Sequence, residues 1–169
     1  MRVNILFIVT LIIFSICMFG CNDIYKNNPD TEAIAKLFVK YWNEDVEKLI
    51  SLFSDSCLYE EVATGRKYSD KNGIAAYVKS TLSGIPDSKV EIVTIVSNEN
   101  TSVVEWIWKG TNSVGWPSIG IPATNKYFEF RGVSVMIIED NLIKRNSDYW
   151  DWGTFLIGIG VQTPDESRQ

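Results

Sequence analysis

Histidine is absent from the 169-residue sequence. A Ser-His-Asp triad, a Cys-His dyad and most zinc sites depend on an imidazole, so the sequence excludes them. Cysteine is scarce: Cys17, Cys21 and Cys57 form no Cys-x-x-Cys pair, which excludes a thiolate metal site and a thioredoxin-type redox motif. Any acid-base chemistry must therefore use carboxylates, tyrosine or lysine.

Positive charge is also in short supply. The sequence has 16 Lys and Arg residues but 21 Asp and Glu residues, which gives a net charge of -5 and a pI of about 4.8. Such a chain does not attract phosphates over long range, so a nucleic-acid partner is disfavoured. Nothing in the sequence indicates a metal, nucleotide or flavin cofactor. Hydrophobic residues make up 46% of the chain, which is typical of one globular domain at this length.

The amino terminus carries an apolar run from Val3 to Phe19 that follows Arg2. This pattern is typical of an export signal. The run ends in Gly20-Cys21, and a small residue directly before a cysteine resembles the lipobox at which bacterial lipoproteins are cleaved and diacylated. We therefore expect an exported protein that is anchored to the membrane through a lipid on Cys21.

In this interpretation residues 1–21 are the signal peptide and residues 22–29 are a polar tether. Two alternatives stay open. The apolar run is nearly long enough to be an uncleaved membrane anchor. A simple secretory signal would instead release the protein and leave Cys21 free to pair with Cys57.

The remaining chain is interpreted as one domain at residues 30–162, followed by a polar tail at residues 163–169. Three helices are predicted where a capping residue precedes apolar residues at helical spacing. The first begins near Asp30, the second follows the polar break at residues 43–45 and runs about three turns through Phe53, and the third follows Asp70. A short strand is predicted between the second and third helices, at residues 57–62.

From Lys89 onward the sequence is rich in β-branched and aromatic residues, which favours strands. Four long strands are predicted, at residues 90–96, 101–109, 127–138 and 142–152. The short polar breaks at residues 98–100 and 139–141 contain asparagine, which tolerates the left-handed backbone of tight hairpins, so these strands should form an antiparallel meander. Helices followed by an antiparallel sheet define an α+β architecture.

The order of three N-terminal helices packed on a curved antiparallel sheet resembles the NTF2-like cone shared by nuclear transport factor 2, ketosteroid isomerase and scytalone dehydratase. The second half is more specific. Its segments at residues 120–126, 130–133, 138–141 and 149–151 resemble the SnoaL-like polyketide cyclase (ester cyclase) family. That family shows a Pro-Ala-Thr-Gly-Lys turn, a hydrophobic strand, a Glu-Asp-Gly turn and an aspartate before a Leu-Leu-x-Gln-Leu-Gly segment.

Asn125 and Asn141 stand where the family usually has glycine. Asparagine is the next best residue for a left-handed backbone, so we expect both turns to be kept. After Asp151 the chain keeps the apolar pattern and the final glycine of the family segment but lacks its glutamine. The resemblance covers residues 30–160 and implies an apolar pocket on the concave side of the sheet.

Two aspartates are candidate acid-base residues. The cyclase resemblance points to Asp151, and alignment of residues 147–151 with a limonene epoxide hydrolase string points to Asp148. Alternation along the strand places the two on opposite faces. A carboxyl group among aromatic side chains has a raised pKa, which suits removal of a proton next to the carbonyl of an enolisable apolar substrate. Asp151 could equally be the N-cap of a helix.

Epoxide hydrolysis is disfavoured because the strand at residues 103–109 lacks the Arg-x-Asp pair which that branch needs. Aromatic residues are the candidates for binding a flat hydrophobic molecule, although each is also suited to an ordinary core. The candidates are Tyr59, Trp106, Trp108, Phe128, Phe130 and Tyr149. The apolar loop at residues 114–122 should either overhang the pocket or join a dimer contact, and Cys57 is expected to be a small buried side chain.

Three functional hypotheses follow. The first is an enzyme of the cyclase or isomerase kind. The second is a non-catalytic domain of the same fold that binds a hydrophobic ligand or a peptide. The third is an interaction protein of the cell surface whose aromatic sheet face forms a homodimer. The fold alone does not choose among them.

Overall fold

The computed structural model describes residues 30–163. The expected signal peptide and tether lie outside these residues, as does the tail from residue 164 onward. The described part contains four α-helices and six strands, with a short 3₁₀ turn at Pro117–Ile119. In chain order they are α1 Thr31–Glu44, α2 Val46–Ser51, β1 Phe53–Glu61, β2 Arg66–Tyr68, α3 Lys71–Gly84, β3 Lys89–Ser97, β4 Thr101–Thr111, β5 Tyr127–Glu139, β6 Leu142–Trp150 and α4 Trp152–Gly158.

The six strands form one sheet in the order β2-β1-β6-β5-β4-β3. Strands β3 to β6 pair as the antiparallel meander that the sequence predicts. The expectation of a purely antiparallel sheet is wrong, because β1 runs parallel to β6. This pairing joins segments at opposite ends of the domain, and no local pattern in the sequence encodes it. The sheet is therefore mixed.

The helices also differ from the expectation of three N-terminal helices packed on the sheet, because α4 follows the last strand. Helix α2 ends at Ser51, two residues before the predicted end at Phe53. The Leu52 carbonyl accepts a hydrogen bond from the Ile143 N–H, and Phe53 pairs with Ile143 of β6. Pairing with the sheet thus outweighs the helical spacing of Phe53, which is fully buried as a strand residue.

Each α-helix begins at an aspartate that caps it. In each case the carboxylate accepts a hydrogen bond from the backbone N–H three residues later, which would otherwise lack a partner. The capping residues are Asp30, Asp45, Asp70 and Asp151. The three caps ahead of α1, α2 and α3 explain why the starts of these helices are readable from the sequence.

Left-handed backbone occurs at the two turns that the sequence singles out. Asn125 has φ 55° and Asn141 has φ 61°, next to Asp140 at 53°. Asparagine tolerates this region better than other side chains do. The expectation that asparagine keeps the two turns is confirmed.

Helices α1, α3 and α4 cover one face of the sheet, and alternate strand residues point into the core beneath them. Gly132 is essential to this packing, because a Cβ atom there would lie 2.1 Å from the Trp106 ring on the neighbouring strand. The ring therefore lies directly across β5. Among residues 30–163, no helix combines the length and apolar character needed to cross a membrane.

Candidate active site

A chamber lies between the helix-covered face of the sheet and helices α1 and α3. It holds about 480 Å³ of empty space, including its mouth. We call it the inner chamber. Its walls are largely aromatic and aliphatic, and its polar groups are few. The lining residues are Phe38, Val39, Trp42, Glu61, Tyr77, Thr81, Val90, Trp106, Trp108, Ser134, Asp148 and Trp150.

A second space of about 550 Å³, the outer chamber, continues from the first and shares several lining residues with it, among them Glu61 and Tyr77. Trp116 belongs to its wall. The Trp116 indole N–H donates to the Ser80 carbonyl at 2.7 Å, and a Cβ at Gly84 would meet the Trp116 ring at 2.1 Å. The loop at residues 114–122 is thereby fastened to α3 and forms part of the entrance.

Asp148 places a carboxyl group in the wall of the inner chamber, with 7% of its surface exposed. Its Oδ1 accepts hydrogen bonds from Ser134 Oγ at 2.6 Å and from Asn146 Nδ2 at 2.7 Å. Its Oδ2 accepts a hydrogen bond from the Tyr59 hydroxyl. Trp106 Nε1 donates to Ser134 Oγ at 2.8 Å, so the single Ser134 proton is directed at Asp148. The carboxyl group is held rigidly.

Burial raises the pKa of Asp148 to about 6, because the charged form is poorly solvated there. The hydrogen bonds from Ser134, Tyr59 and Asn146 oppose this rise, and the nearby charge of Glu61 adds to it. A carboxyl group with this pKa exchanges protons readily near neutral pH. Among residues 30–163, no lysine or arginine forms an ion pair with it.

Glu61 is a second carboxyl group of the inner chamber, with 5% of its surface exposed. It lies beside Asp148 in the register of β1 and β6. It accepts hydrogen bonds from the Tyr77 hydroxyl and from Thr64 Oγ1, the latter at 2.6 Å. The pKa values of Tyr59 and Tyr77 are raised well above the usual value, chiefly by burial, so both hydroxyls stay protonated as donors.

Five of the six aromatic candidates from the sequence lie in or near the core beneath the helices. Trp106 and Trp108 line the inner chamber. Tyr59 is fully buried and contacts the site through its hydrogen bond to Asp148. Phe128 and Phe130 lie in an aromatic cluster around Phe155, outside the chamber lining.

The remaining candidates lie away from both chambers. Tyr149 is 46% exposed and neighbours Asp148 along β6, so its side chain is on the opposite face of the sheet. Asp151 is exposed and accepts a hydrogen bond from the Thr154 N–H as the cap of α4. Of the two candidate aspartates, Asp148 lines the inner chamber, whereas Asp151 belongs to the lining of neither the inner nor the outer chamber.

The contributors that sequence reasoning missed include Glu61, Tyr77, Ser134, Asn146 and Trp42. The sequence held a partial signal for Glu61, because it alternates with Cys57 and Tyr59 along one strand; in the structure all three are buried. The alternation on β6 similarly places Asn146 beside Asp148. Tyr77 and Ser134 reach the site only through the packing of α3 and the pairing of β5 with β6.

Comparison with known families gives the class of protein. The model of the SnoaL-like domain matches residues 34–146, which is more than half of the chain. The chain therefore belongs to the SnoaL-like domain family, and its α+β fold is the NTF2-like, ketosteroid isomerase-like fold. None of the curated proteins is similar enough in sequence to be a match.

Solved structures of low sequence identity share the fold. IdmH from Streptomyces antibioticus, a proposed polyketide cyclase, is 20% identical with a TM-score of 0.68, over 78% of this chain and 99% of that one. A protein of ketosteroid isomerase-like fold from Catenulispora acidiphila is 18% identical with a TM-score of 0.68, over 79% and 99%. A proposed SnoaL-like polyketide cyclase from Jannaschia is 13% identical with a TM-score of 0.68, over 79% and 92%. At these identities the likeness shows the fold alone.

Proposed function

We propose that the domain is an enzyme in which Asp148 removes and returns a proton next to the carbonyl group of an enolisable hydrophobic compound held in the inner chamber. One observation carries the proposal. Asp148 is a buried carboxyl group with a pKa of about 6, it lines an aromatic chamber, and it lacks a basic partner among residues 30–163. The proposed polyketide cyclases among the structural neighbours are consistent with chemistry on carbonyl compounds.

In the proposed step the Asp148 carboxylate takes a proton from the carbon next to the carbonyl. The electrons of the C–H bond form a C=C bond, and negative charge develops on the carbonyl oxygen. Asp148 then returns the proton to the same carbon, or to a conjugated carbon if the double bond shifts, and the C=O bond re-forms. Oδ2 accepts only the Tyr59 hydrogen bond, whereas Oδ1 accepts two, so Oδ2 is the better placed oxygen to take the proton.

Asp148 rather than Asp151 is proposed because of what each carboxylate contacts. Asp151 is exposed, caps the first turn of α4 and belongs to the lining of neither chamber. Asp148 is enclosed by aromatic residues of the inner chamber. Desolvation of the base and exclusion of water both favour proton transfer at Asp148.

The test uses 2-tetralone, a flat bicyclic ketone with acidic α-hydrogens, in deuterated buffer. The wild-type protein should accelerate exchange of these hydrogens, followed by NMR. Asp148→Asn should reduce the acceleration by about 100-fold or more. Asp151→Asn is the matched control, because asparagine is also a good N-cap, and it should retain the wild-type rate. Equal rates for wild type and Asp148→Asn would refute the proposal.

A second function, ligand binding without catalysis, is favoured by one observation. Asp148 accepts three hydrogen bonds, which is also the arrangement of a carboxylate that stabilises a fold. This function predicts that 2-tetralone binds to wild type without accelerated exchange.

For the location of the protein we propose export and lipidation at Cys21. The support is sequence alone: the apolar run from Val3 to Phe19 followed by Gly20 and Cys21. Expression in a bacterial host with labelled palmitate should label wild type but not Cys21→Ser. Mass spectrometry of the mature protein checks the cleavage, and an intact Met1 with unmodified Cys21 would refute the proposal.

A further inference from the structure

Almost every side-chain donor at the inner chamber already has a partner. The hydroxyls of Ser134 and Tyr59 donate to Asp148, and that of Tyr77 donates to Glu61. Thr81 Oγ1 donates to the Tyr77 carbonyl at 3.0 Å, and Trp106 Nε1 donates to Ser134. None of these groups has a proton left to offer to a ligand oxygen.

Two buried donors of the chamber lining are left over. The indole N–H groups of Trp42 and Trp108 have no hydrogen-bond partner among residues 30–163. Trp42 is 8% exposed and Trp108 is 9% exposed, so bulk water does not satisfy them. Buried donors without partners are rare in folded proteins and carry a cost in stability. The two side chains come from different elements, α1 and β4, yet line the same chamber.

We infer that Trp42 and Trp108 hold the ligand's carbonyl oxygen through their indole N–H groups. The inference rests on the proposed function, because it names the donors for the oxygen that becomes negative when Asp148 removes the α-proton. With the carboxyl groups supplying only acceptors and every hydroxyl proton committed, indole N–H groups are the donors left for this role. Trp150 also lines the chamber, but only Trp42 and Trp108 bury an N–H without a partner there. Their rings also form the apolar wall against which a flat ketone packs.

This assignment narrows the ligand class. The ligand is a flat, largely hydrophobic molecule with a carbonyl oxygen and an adjacent C–H group. A hydrocarbon of the same shape leaves both indole N–H groups without a partner and should bind less tightly. A molecule that only donates hydrogen bonds gains nothing from Trp42 and Trp108.

Two measurements test the inference. The first is the ratio of the dissociation constants of tetralin and 2-tetralone, which have the same ring system and differ in the carbonyl group. Wild type should prefer 2-tetralone by about tenfold, the factor expected for one or two good hydrogen bonds. A Trp→Phe change that alters packing weakens the binding of both compounds. The ratio of their dissociation constants therefore still measures the contribution of the indole N–H groups.

The second is the infrared C=O stretch of bound 2-tetralone labelled with ¹³C at the carbonyl. The stretch should lie at lower frequency in the wild-type complex than in an apolar solvent. Trp42→Phe and Trp108→Phe should each reduce this shift, and the double variant should abolish it together with the preference over tetralin. Trp116→Phe is the control, because the Trp116 N–H is bonded to Ser80 in the outer chamber.

The outcomes separate the inference from the proposed function. An Asp148→Asn variant that loses exchange but keeps the infrared shift would leave the inference standing. The inference is overturned if the shift persists in the double variant, if wild type shows no shift, or if 2-tetralone binds no better than tetralin. In those cases exchange that still depends on Asp148 would leave the proposed function intact.

Discussion

Asp148 and Asp151 are three residues apart in the chain and have opposite surroundings. Asp148 lies inside β6, lines the inner chamber and accepts hydrogen bonds only from side chains. Asp151 follows the end of the strand, is exposed and accepts a hydrogen bond from the backbone of α4. The strand ends between the two residues. Asp148 is therefore enclosed by aromatic rings, whereas Asp151 caps a helix. The same residue type therefore has two different physical roles at positions only three residues apart.

The largest expected difference between the two aspartates is in how the rate of α-hydrogen exchange in 2-tetralone depends on pH. Only the carboxylate form of Asp148 accepts a proton, so the rate should fall about tenfold per pH unit below its pKa. Because half of Asp148 is ionised at pH 6, the fall between pH 6 and pH 4 is about 50-fold. Asp151→Asn should show the same profile as wild type when 2-tetralone exchange is followed by NMR. A flat profile, or one altered by Asp151→Asn, would remove the distinction.

The next effect is on stability as a function of pH. The pKa of Asp148 is raised from 3.8 to about 6 in the folded state, so between these values the folded protein binds more protons than the unfolded chain. Stability from this group is complete below pH 3.8 and is lost as pH rises through 6, by at most about 3 kcal/mol. Urea unfolding at several pH values should show this loss. It should disappear in Asp148→Asn and persist in Asp151→Asn.

A smaller effect is expected at Ser134, which holds Asp148 and accepts from Trp106. Ser134→Ala removes a hydrogen bond to the carboxylate, so the Asp148 pKa should rise further. It also leaves the Trp106 N–H without a partner, at a cost of about 1–3 kcal/mol. NMR titration and urea unfolding check the two effects. A lowered Asp148 pKa would show that Ser134 does not stabilise the carboxylate.

The smallest effect should come from the cap itself. Asp151→Ala should destabilise the protein by about 1 kcal/mol, because one N–H of α4 loses its partner, while Asp151→Asn should cost only a few tenths of that amount. Neither change should alter the exchange rate with 2-tetralone. Thermal unfolding checks the stabilities, and a large loss of exchange in Asp151→Ala would transfer the catalytic role to the cap.

The strands of the meander could be predicted from the sequence because alternation and turn chemistry are local properties. Asn125 and Asn141 are the clearest cases, since a left-handed turn needs one of few residue types. The parallel pairing of β1 with β6 depends instead on how distant segments pack. For the same reason the helical spacing of Phe53 was misleading, because the segment is drawn into the sheet.

The candidate site was predictable only in part. The sequence named both aspartates and two of the chamber tryptophans, but it did not decide which aspartate is enclosed. Glu60 and Glu61 illustrate the difficulty: Glu60 forms an ion pair with Lys67 at 2.7 Å, whereas Glu61 faces the inner chamber. Adjacent acids on a strand must lie on opposite faces, but which one is buried depends on the register with β6.

The most direct test of the account is the titration of Asp148 itself. Protein labelled with ¹³C at aspartate side-chain carboxyl groups can be followed by NMR, with Asp148→Asn and Asp151→Asn used to assign the two signals. The account predicts that the Asp148 signal titrates at a pH of about 6. A signal that instead titrates at or below 3.8 would contradict it, because a fully ionised, firmly bonded carboxylate is a structural group rather than a proton-transfer group.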